Sequence, residues 1–196
     1  IAPSFDLWAK DILSRQKGKC RLLANPELEK IGRQSLDSAP RFRFVRGGFL
    51  KQSNYNFVLD LADPRVQKYG RIETQQLDDL RLAWAIGATS NSNTSTLVKN
   101  KQLIGNGVGQ QDRVGSCSLA VLRAKTSGHD TIDASAYSDS FFPFVDAAET
   151  LHQAGVKAIL ASSGSIRDQD TINFCQQNNI ALYLIPDELG RGFYGH

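Results

Sequence analysis

The spacing of apolar residues in the last third of the chain changes repeatedly between helical and extended periods. It predicts a helix over 143–154, a strand at 156–161, a helix that ends at Asn178 and a strand at 180–185. A strand, a helix and a second strand in this order form a βαβ unit with parallel strands and a right-handed crossover. The pattern therefore predicts the α/β fold class.

The middle of the chain contains another periodic helix and an extended hairpin. Apolar residues along 77–86 predict a helix that ends near Gly87. Extended segments at 95–99 and 102–105 flank Asn100 and Lys101, which predict a two-residue hairpin turn. A further helix is predicted over 114–125.

The first third is less regular. Ser4 is a candidate cap for a helix that runs to about Gln16, with Phe5, Trp8 and Ile12 on its apolar face. The other predicted elements are a strand at 21–24, a turn or short helix at 26–31, a strand at 41–46 with one solvent-facing side, and a strand at 49–52. Polar stretches at 52–63 and 126–136 are interpreted as linkers.

The composition is that of a soluble globular protein, and it argues against several classes of function. The 196 residues provide for one substantial domain or two small lobes. A net charge of +3, spread without a basic tract, argues against nucleic acid as a partner. No apolar run approaches the ~20 residues of a membrane span, and the first residues do not form a signal peptide. We therefore expect no membrane association and a cytoplasmic location.

The cysteine, histidine and methionine content adds three expectations. Cys20, Cys117 and Cys175 are widely spaced, which argues against a disulfide framework or a zinc ribbon, and we expect three buried thiols. The histidines show no metal-ligand spacing, so no metal site is expected. Because the sequence contains no methionine, we expect a fragment of a longer chain.

Two short motifs carry alternative interpretations. The glycine-rich stretch 105–109, followed by Arg113, could bring backbone N–H groups close to a ligand, or it could be a strand-to-helix turn with a surface arginine. Ser165 and Asp168 have the spacing of a capping box, and the same helix start could bind an anion.

The segment 138–146 concentrates aromatic residues outside any regular period. Phe141, Phe142 and Phe144 surround a proline and are bracketed by Asp139 and Asp146. This arrangement predicts an aromatic pocket with a carboxylate at its edge.

Five motifs, taken together, resemble one known family. The chain is similar to the carboxy-terminal half of the bifunctional purine-biosynthesis enzyme that joins aminoimidazole-carboxamide ribonucleotide (AICAR) formyltransferase to inosinate cyclohydrolase. The matching stretches are 46–52 (GGxLxQ), 78–84 (DLxxAW), 104–113 (IGxGxGQxxR), 138–146 (SDxFFPFxD) and 164–168 (GSIRD).

The resemblance implies that residues 1–196 are the C-terminal lobe of the formyltransferase domain. The implied fold is a cytidine-deaminase-like, three-layer α/β domain with a mixed sheet, helices on both faces and no zinc. The implied reaction transfers a formyl group from the co-substrate 10-formyltetrahydrofolate to AICAR. The implied partners are these two small molecules and a second copy of the chain, with the active site at the homodimer interface.

The resemblance also assigns site residues. It implies a catalytic Asn93, substrate-binding Arg113, Phe141 and Arg191, and folate-binding Val114, Phe144 and Asp146.

The chain also departs from the family pattern. The Lys-His pair that supplies acid/base chemistry in the family, within a KHxNP segment, does not occur in these residues, and Ala85 and Asn91 replace frequent lysines. The isolated chain is therefore expected to bind substrates but hardly to catalyse the transfer, and any cyclohydrolase activity would need an N-terminal part. A non-catalytic purine-ribonucleotide-binding module, a divergent paralogue and an α/β scaffold without a ligand site remain alternatives.

Overall fold

The chain divides into two compact units in a computed structural model that describes residues 1–14 and 18–190. Unit 1 comprises Ile1–Asn56, and unit 2 comprises Phe57–His196, described to residue 190. The boundary falls within the polar stretch that was interpreted as a linker at 52–63.

Unit 1 contains a short helix and a β-hairpin. Helix α1 (Leu7–Leu13) begins after Asp6, whose carboxylate accepts a hydrogen bond from the N–H of Ala9 at 2.6 Å. Strands β1 (Arg41–Val45) and β2 (Gly48–Gln52) pair antiparallel, and two short 3-10 helices, Pro26–Lys30 and Arg33–Ser35, precede them. The expected hairpin strands and the short helix after Pro26 are confirmed.

Two expectations for unit 1 are wrong, and one falls outside the described residues. Asp6, rather than Ser4, caps α1, because a carboxylate at this position reaches the free N–H groups of the first turn. The segment 21–24 is not a strand, since its only pairing is a single parallel bridge between Ala24 and Ala2. The expected helix end at Gln16 lies outside the described residues.

None of the described side chains of unit 1 is buried. On one side of the hairpin, Phe42, Phe44 and Phe49 are 62%, 75% and 66% exposed. The rings of Phe44 and Phe49 pack edge to face, with centroids 5.6 Å apart. The expectation that one side of β1 would be covered is therefore wrong.

The three cysteines differ in their burial. Cys20 lies in unit 1 and is exposed, so the expectation of a buried thiol is wrong there, whereas it is confirmed for Cys117 and Cys175. Burial raises the pKa of the Cys117 thiol to about 11 and that of Cys175 to about 12.

A thiol reagent near neutral pH is expected to modify Cys20 and to leave Cys117 and Cys175 intact in the native chain. The reactive species is the thiolate, which a raised pKa suppresses in addition to the steric effect of burial. The pKa of Cys117 rises from 9.0 to about 11, so its contribution to stability is complete below the lower value and is lost as the pH rises through this interval. Mass spectrometry of the labelled native chain is the measurement, with a urea-unfolded sample as the control; native labelling at all three sites would contradict the expectation.

Unit 2 alternates strands and helices along most of its length. The strands are β3 (Gln67–Tyr69), β4 (Ser95–Lys99), β5 (Gln102–Gly107), β6 (Ser135–Ser138), β7 (Ala158–Ser162) and β8 (Ala181–Ile185). The helices are α2 (Thr74–Gly87), α3 (Arg113–Thr126), α4 (Asp146–Gln153), α5 (Asp168–Gln177) and α6 (Asp187–Gly190).

The described strands of unit 2 form one mixed sheet in the order β3-β8-β7-β6-β4-β5. Strands β6, β7 and β8 are parallel neighbours, whereas β3, β4 and β5 pair antiparallel. Successive residues of each central strand face opposite layers: Ile159 packs with α3, α4 and α5, and Leu160 packs with α2. The α/β class, the mixed sheet, helices on both faces and the parallel βαβ unit are therefore confirmed.

The predicted hairpin between β4 and β5 is confirmed. Asn100 and Lys101 have φ values of 54° and 60°, as a two-residue turn of this type requires. The buried carboxylate of Asp79 on α2 accepts hydrogen bonds from both turn N–H groups, at 3.0 and 2.6 Å. Helix α2 thus holds the hairpin tip through hydrogen bonds.

Three boundaries in unit 2 differ from expectation. Strand β6 begins inside the stretch 126–136 that was interpreted as a linker, and all four of its residues are buried. Strand β3 was not predicted, and α4 begins at Asp146 rather than at Pro143. Residues 143–145 form bends and a turn before the helix starts, with Val145 as its N-cap residue.

Neither a membrane-spanning helix nor a metal-ligand cluster occurs in the described part of the chain. No helix there is long and apolar enough to cross a membrane. Likewise, no group of three or more His, Cys, Asp or Glu side chains in this part of the chain is arranged to hold a metal ion.

Candidate functional site

The mixed sheet brings several loops to one edge. Strands β6 and β7 are parallel, so their carboxyl ends share that edge. Because β4 runs antiparallel to β6, with Ser95 opposite Ser138, the amino end of β4 lies there too. Strand β5 returns antiparallel to β4, and Gly107 at its carboxyl end lies opposite Ser95. This common edge therefore holds the loops that contain Asn93 and Phe141, the loop after β7, and Arg113 at the start of α3.

A buried ion pair occupies this edge. Arg113, the first residue of α3, donates from Nη1 to Oδ1 of Asp139, and the same nitrogen lies 3.4 Å from Oγ of Ser138. The Arg113 side chain is 10% exposed and that of Asp139 is 0% exposed. Burial lowers the pKa of Arg113, but a guanidinium paired with a carboxylate stays protonated.

The ion pair leaves part of each group available. The guanidinium hydrogen bonds of Arg113 to described residues all use Nη1, so Nε and Nη2 can donate to another acceptor. The second carboxylate oxygen of Asp139 is buried and has no hydrogen-bond partner among the described residues. The sequence indicated Asp139 only as an acid two residues before the phenylalanine cluster, and its ion pair with Arg113 was not predicted.

Asn93 is joined to the loop that precedes α3. Its backbone exchanges hydrogen bonds with Gln110, at 3.2 and 3.1 Å, and its Nδ2 donates to the Gln110 carbonyl at 2.8 Å. The half-buried amide therefore has a fixed direction, with its Oδ1 free to accept a hydrogen bond from a ligand.

The glycine-rich stretch serves helix packing more than ligand approach. Gly105 and Gly107 lie within β5, where an added Cβ would be 2.1 Å from the Ala120 carbonyl oxygen and 1.9 Å from that of Ser116. These two glycines thus allow α3 to pack closely on β5, and ligand approach to this stretch stays a prediction. The alternative of a surface arginine is wrong, because Arg113 is nearly buried.

An aromatic cavity of about 560 Å³ lies between the loops after β6 and β7. Its lining consists of Phe141, Pro143, Phe144, Gly164, Ser165, Ile166 and Arg167. Phe142 instead points into the core and is 2% exposed. The predicted aromatic pocket therefore uses two of the three clustered phenylalanines.

The loop before α5 satisfies its own backbone donors. The Asp168 carboxylate accepts hydrogen bonds from the N–H groups of Gly164 and Ser165, at 2.7 and 3.2 Å. The Ser165 hydroxyl accepts from the N–H of Arg167 at 3.1 Å rather than from that of Asp168. The predicted capping box is therefore wrong, because α5 begins at Asp168 after Arg167 as N-cap residue and Ser165 does not accept from the N–H of Asp168. Only the Asp168 half of the pattern is present, and its carboxylate binds the N–H groups of Gly164 and Ser165.

Two further site candidates, Val114 and Asp146, lie apart from the cavity lining. Val114 is partly buried and packs against the core. Asp146 is exposed at the start of α4, where its Oδ1 accepts from the N–H of Ala147 at 2.8 Å. Arg191 lies outside the described residues. The structure thus places Phe141 and Phe144 in the cavity and Asn93 and Arg113 at the same edge of the sheet.

Comparison with known proteins identifies related sequences. Residues 1–123 match the family model described as AICARFT/IMPCHase bienzyme. The chain is 37% identical over 182 residues to the bifunctional purine biosynthesis protein PurH of Acetivibrio thermocellus, and 36% identical over 186 residues to that of Staphylococcus aureus. These alignments cover 93% and 94% of the chain, but 34% and 35% of the relatives. The chain therefore spans about a third of the length of the curated relatives it matches.

Solved structures show a partial likeness. RibD of Acinetobacter baumannii aligns with 56% of this chain and 35% of its own, at 18% identity and a TM-score of 0.39. A diaminohydroxyphosphoribosylaminopyrimidine deaminase/reductase of Thermotoga maritima aligns with 55% of this chain and 35% of its own, at 13% identity and a TM-score of 0.38.

Proposed function

Because the chain belongs to the AICARFT/IMPCHase bienzyme family, we propose that it is the C-terminal lobe of the formyltransferase region. In this proposal it helps to transfer a formyl group from 10-formyltetrahydrofolate to AICAR during purine biosynthesis in the cytoplasm. The observation that carries the proposal is the aromatic cavity at the edge of the sheet where the Arg113–Asp139 pair also lies.

The cavity suits the heterocyclic part of a folate. Its volume of about 560 Å³ is in the usual range for small-molecule sites, and its walls are mainly apolar. Phe141 and Phe144 present aromatic surface on which a flat heterocycle stacks favourably. In our proposal Phe144 contacts the folate and Phe141 lies near the imidazole of AICAR, while Val114 and Asp146 contact the folate from outside the cavity lining.

The polar groups suit the nucleotide. Arg113 has Nε and Nη2 free to donate to the carboxamide oxygen of AICAR, and Asp139 prevents its guanidinium from turning away. Asn93 has a fixed amide whose oxygen can accept a hydrogen bond from the reacting amine. These contacts would hold the amine against the formyl carbon, as a bimolecular transfer requires. Arg191 is proposed to bind the 5′-phosphate.

The chemical step needs an acid/base group besides these residues. The amine nitrogen bonds to the formyl carbon, the bond from that carbon to N10 of the folate breaks, and one proton moves from the amine to N10. We assign this proton transfer to the family's Lys-His pair, which the 196 residues do not contain. The proposal includes a homodimer in which the site is completed at the subunit interface.

Formyl transfer in the presence of a segment from a relative that carries the KHxNP motif is the test. We expect tetrahydrofolate release only when both pieces are present.

Changing Arg113 to lysine keeps a cation beside Asp139 but removes the planar donors, so it should cost about 2–4 kcal/mol of transition-state stabilisation. Arg123→Lys on the same helix is the control and should leave turnover unchanged.

Calorimetry of the chain with AICAR and with folate separates the alternatives. Binding of AICAR without any transfer by the mixed pieces would overturn the formyltransferase proposal in favour of a non-catalytic binding module. A folded chain that binds neither molecule would overturn both and leave a scaffold without a ligand site.

A further inference from the structure

A second cavity lies at the edge of the unit 2 sheet opposite the candidate site. Its volume is about 550 Å³, and the residues that line it are Arg71, Ile72, Glu73, Gln76, Asp133, Lys157 and Asn179. The last three come just before β6, β7 and β8, which are parallel, so the amino ends of these strands share this edge. The other four belong to the connection from β3 to α2 and to the first turn of α2.

The cavity combines charges of both signs. Arg71 and Lys157 are cations, and two further lining residues, Glu73 and Asp133, carry carboxylates. None of the four forms an ion pair with a residue in the described part of the chain. Each charge is therefore available to a ligand, on walls whose formal charges sum to zero.

The backbone of the cavity wall is held by hydrogen bonds between neighbouring loops. The N–H of Asp133 donates to the carbonyl of Gly155 at 2.8 Å, and the N–H of Lys157 donates to that of Ala134 at 3.0 Å. The carbonyl of Lys157 accepts in turn from the N–H of Ala181 at 2.9 Å. The charged side chains of this wall thus start from fixed positions, which lowers the cost of ordering them around a ligand.

The balance of charges selects the class of ligand. A phosphate would meet two carboxylates as well as two cations, and a simple cation would meet the same mixture. A zwitterion satisfies both signs, because its carboxylate can pair with the guanidinium of Arg71 while its ammonium donates to the carboxylate of Asp133. The uncharged lining residues, Ile72, Gln76 and Asn179, add an apolar contact and two amide groups that suit a polar side chain.

We propose that this cavity is a second small-molecule site, which binds a free α-amino acid with an amide side chain. Its volume is in the usual range for small-molecule sites and leaves room for an extended side chain. Strand β7, with five residues, separates the two edges of the sheet by roughly 15 Å. The inference therefore concerns other residues than the proposed formyl transfer and does not depend on it.

The experiment is calorimetry of the 196-residue chain with L-glutamine and with two analogues that each lack one charge. Glutaramate keeps the carboxylate and lacks the ammonium, whereas γ-aminobutyramide keeps the ammonium and lacks the carboxylate. L-Glutamine is expected to bind at least about tenfold more tightly than either analogue, since each lost charge removes one charge-assisted contact.

Two variants assign the charges to their partners. Arg71→Gln is expected to weaken L-glutamine and glutaramate about tenfold and to change γ-aminobutyramide less than about twofold. Asp133→Asn should do the reverse, and asparagine tolerates the φ of 59° at this position. Lys68→Gln removes an exposed cation of β3 outside the cavity lining and is the matched control, which should bind like the unchanged chain.

The other outcomes would overturn the inference. Inorganic phosphate that binds more tightly than L-glutamine would indicate an anion site instead. Equal affinity for L-glutamine and both analogues, or L-glutamine binding that neither variant weakens, would show that the two charges are not read. No heat with L-glutamine at millimolar concentration would remove the site. AICAR and folate binding measured on the same variants keeps this inference separate from the proposed function, because Arg71→Gln should leave both unchanged.

Discussion

Replacing Asp139 with alanine is expected to lower the free energy of unfolding of unit 2 by about 3–5 kcal/mol, the cost of breaking a buried ion pair from one side. The Arg113 guanidinium is 10% exposed and would be left without its carboxylate in a site that water hardly reaches. Urea denaturation followed by circular dichroism measures the effect. The urea concentration at the unfolding midpoint should fall, whereas the dependence of the unfolding free energy on urea concentration should stay the same.

A more exposed ion-pair cluster in unit 2 provides the control. Asp78 pairs with Arg81 and Lys101, but the three side chains are 35%, 54% and 62% exposed. Asp78→Ala should therefore have a much smaller effect, since solvent and salt screen such pairs. Replacing both Arg113 and Asp139 with apolar residues should restore much of the lost stability, because no buried charge then lacks a partner. Equal losses for Asp139→Ala and Asp78→Ala would refute the prediction.

Replacing Gly107 with alanine is expected to destabilise the chain by about 3 kcal/mol or more, at the upper end of the usual cost of overpacking. The added Cβ would lie 1.9 Å from the carbonyl oxygen of Ser116 and 2.9 Å from the nitrogen of Ala120. Both are backbone atoms, so no rotamer change relieves the clash and α3 must move away from β5. Since Arg113 begins α3, weaker AICAR binding should accompany the loss of stability.

Gly48 in β2 is a suitable comparison for this substitution. An added Cβ there meets nothing within 4 Å, so Gly48→Ala should leave both stability and binding nearly unchanged. Thermal unfolding and calorimetry of the two variants check the prediction. A Gly107→Ala chain that unfolds like Gly48→Ala would show that α3 does not pack closely on β5.

Long periodic elements were predictable from sequence, and a short central strand was not. Helices α2 and α3 extend over 14 residues each, so their apolar spacing repeats often enough to be read. Strand β6 has four residues, two of them serines, and its burial comes from pairing with β4 on one side and β7 on the other. No local pattern contains that information, because both partners are distant in sequence.

In the candidate site, too, features with a local sequence pattern were predictable and features that depend on distant residues were not. The clustering of Phe141 and Phe144 indicated an aromatic pocket because their spacing fits neither a helix nor a strand. Asp139 was noticed only as an acid beside this aromatic segment, and its ion pair was not predicted, since its partner Arg113 is 26 residues away. The glycines at 105 and 107 suggested a ligand-binding loop. The sequence around them does not indicate that they pack against α3.

The lack of buried side chains among the described residues of unit 1 has a consequence for any solution study of this protein. Amide protons in the hairpin of β1 and β2 are expected to exchange with solvent rapidly, because local opening there exposes little new apolar surface. Amide protons in the central strands β6, β7 and β8 should exchange only through cooperative opening of unit 2. Hydrogen exchange would thus divide one polypeptide into a fast segment before Phe57 and a slow segment after it, and a single melting temperature would describe only the second.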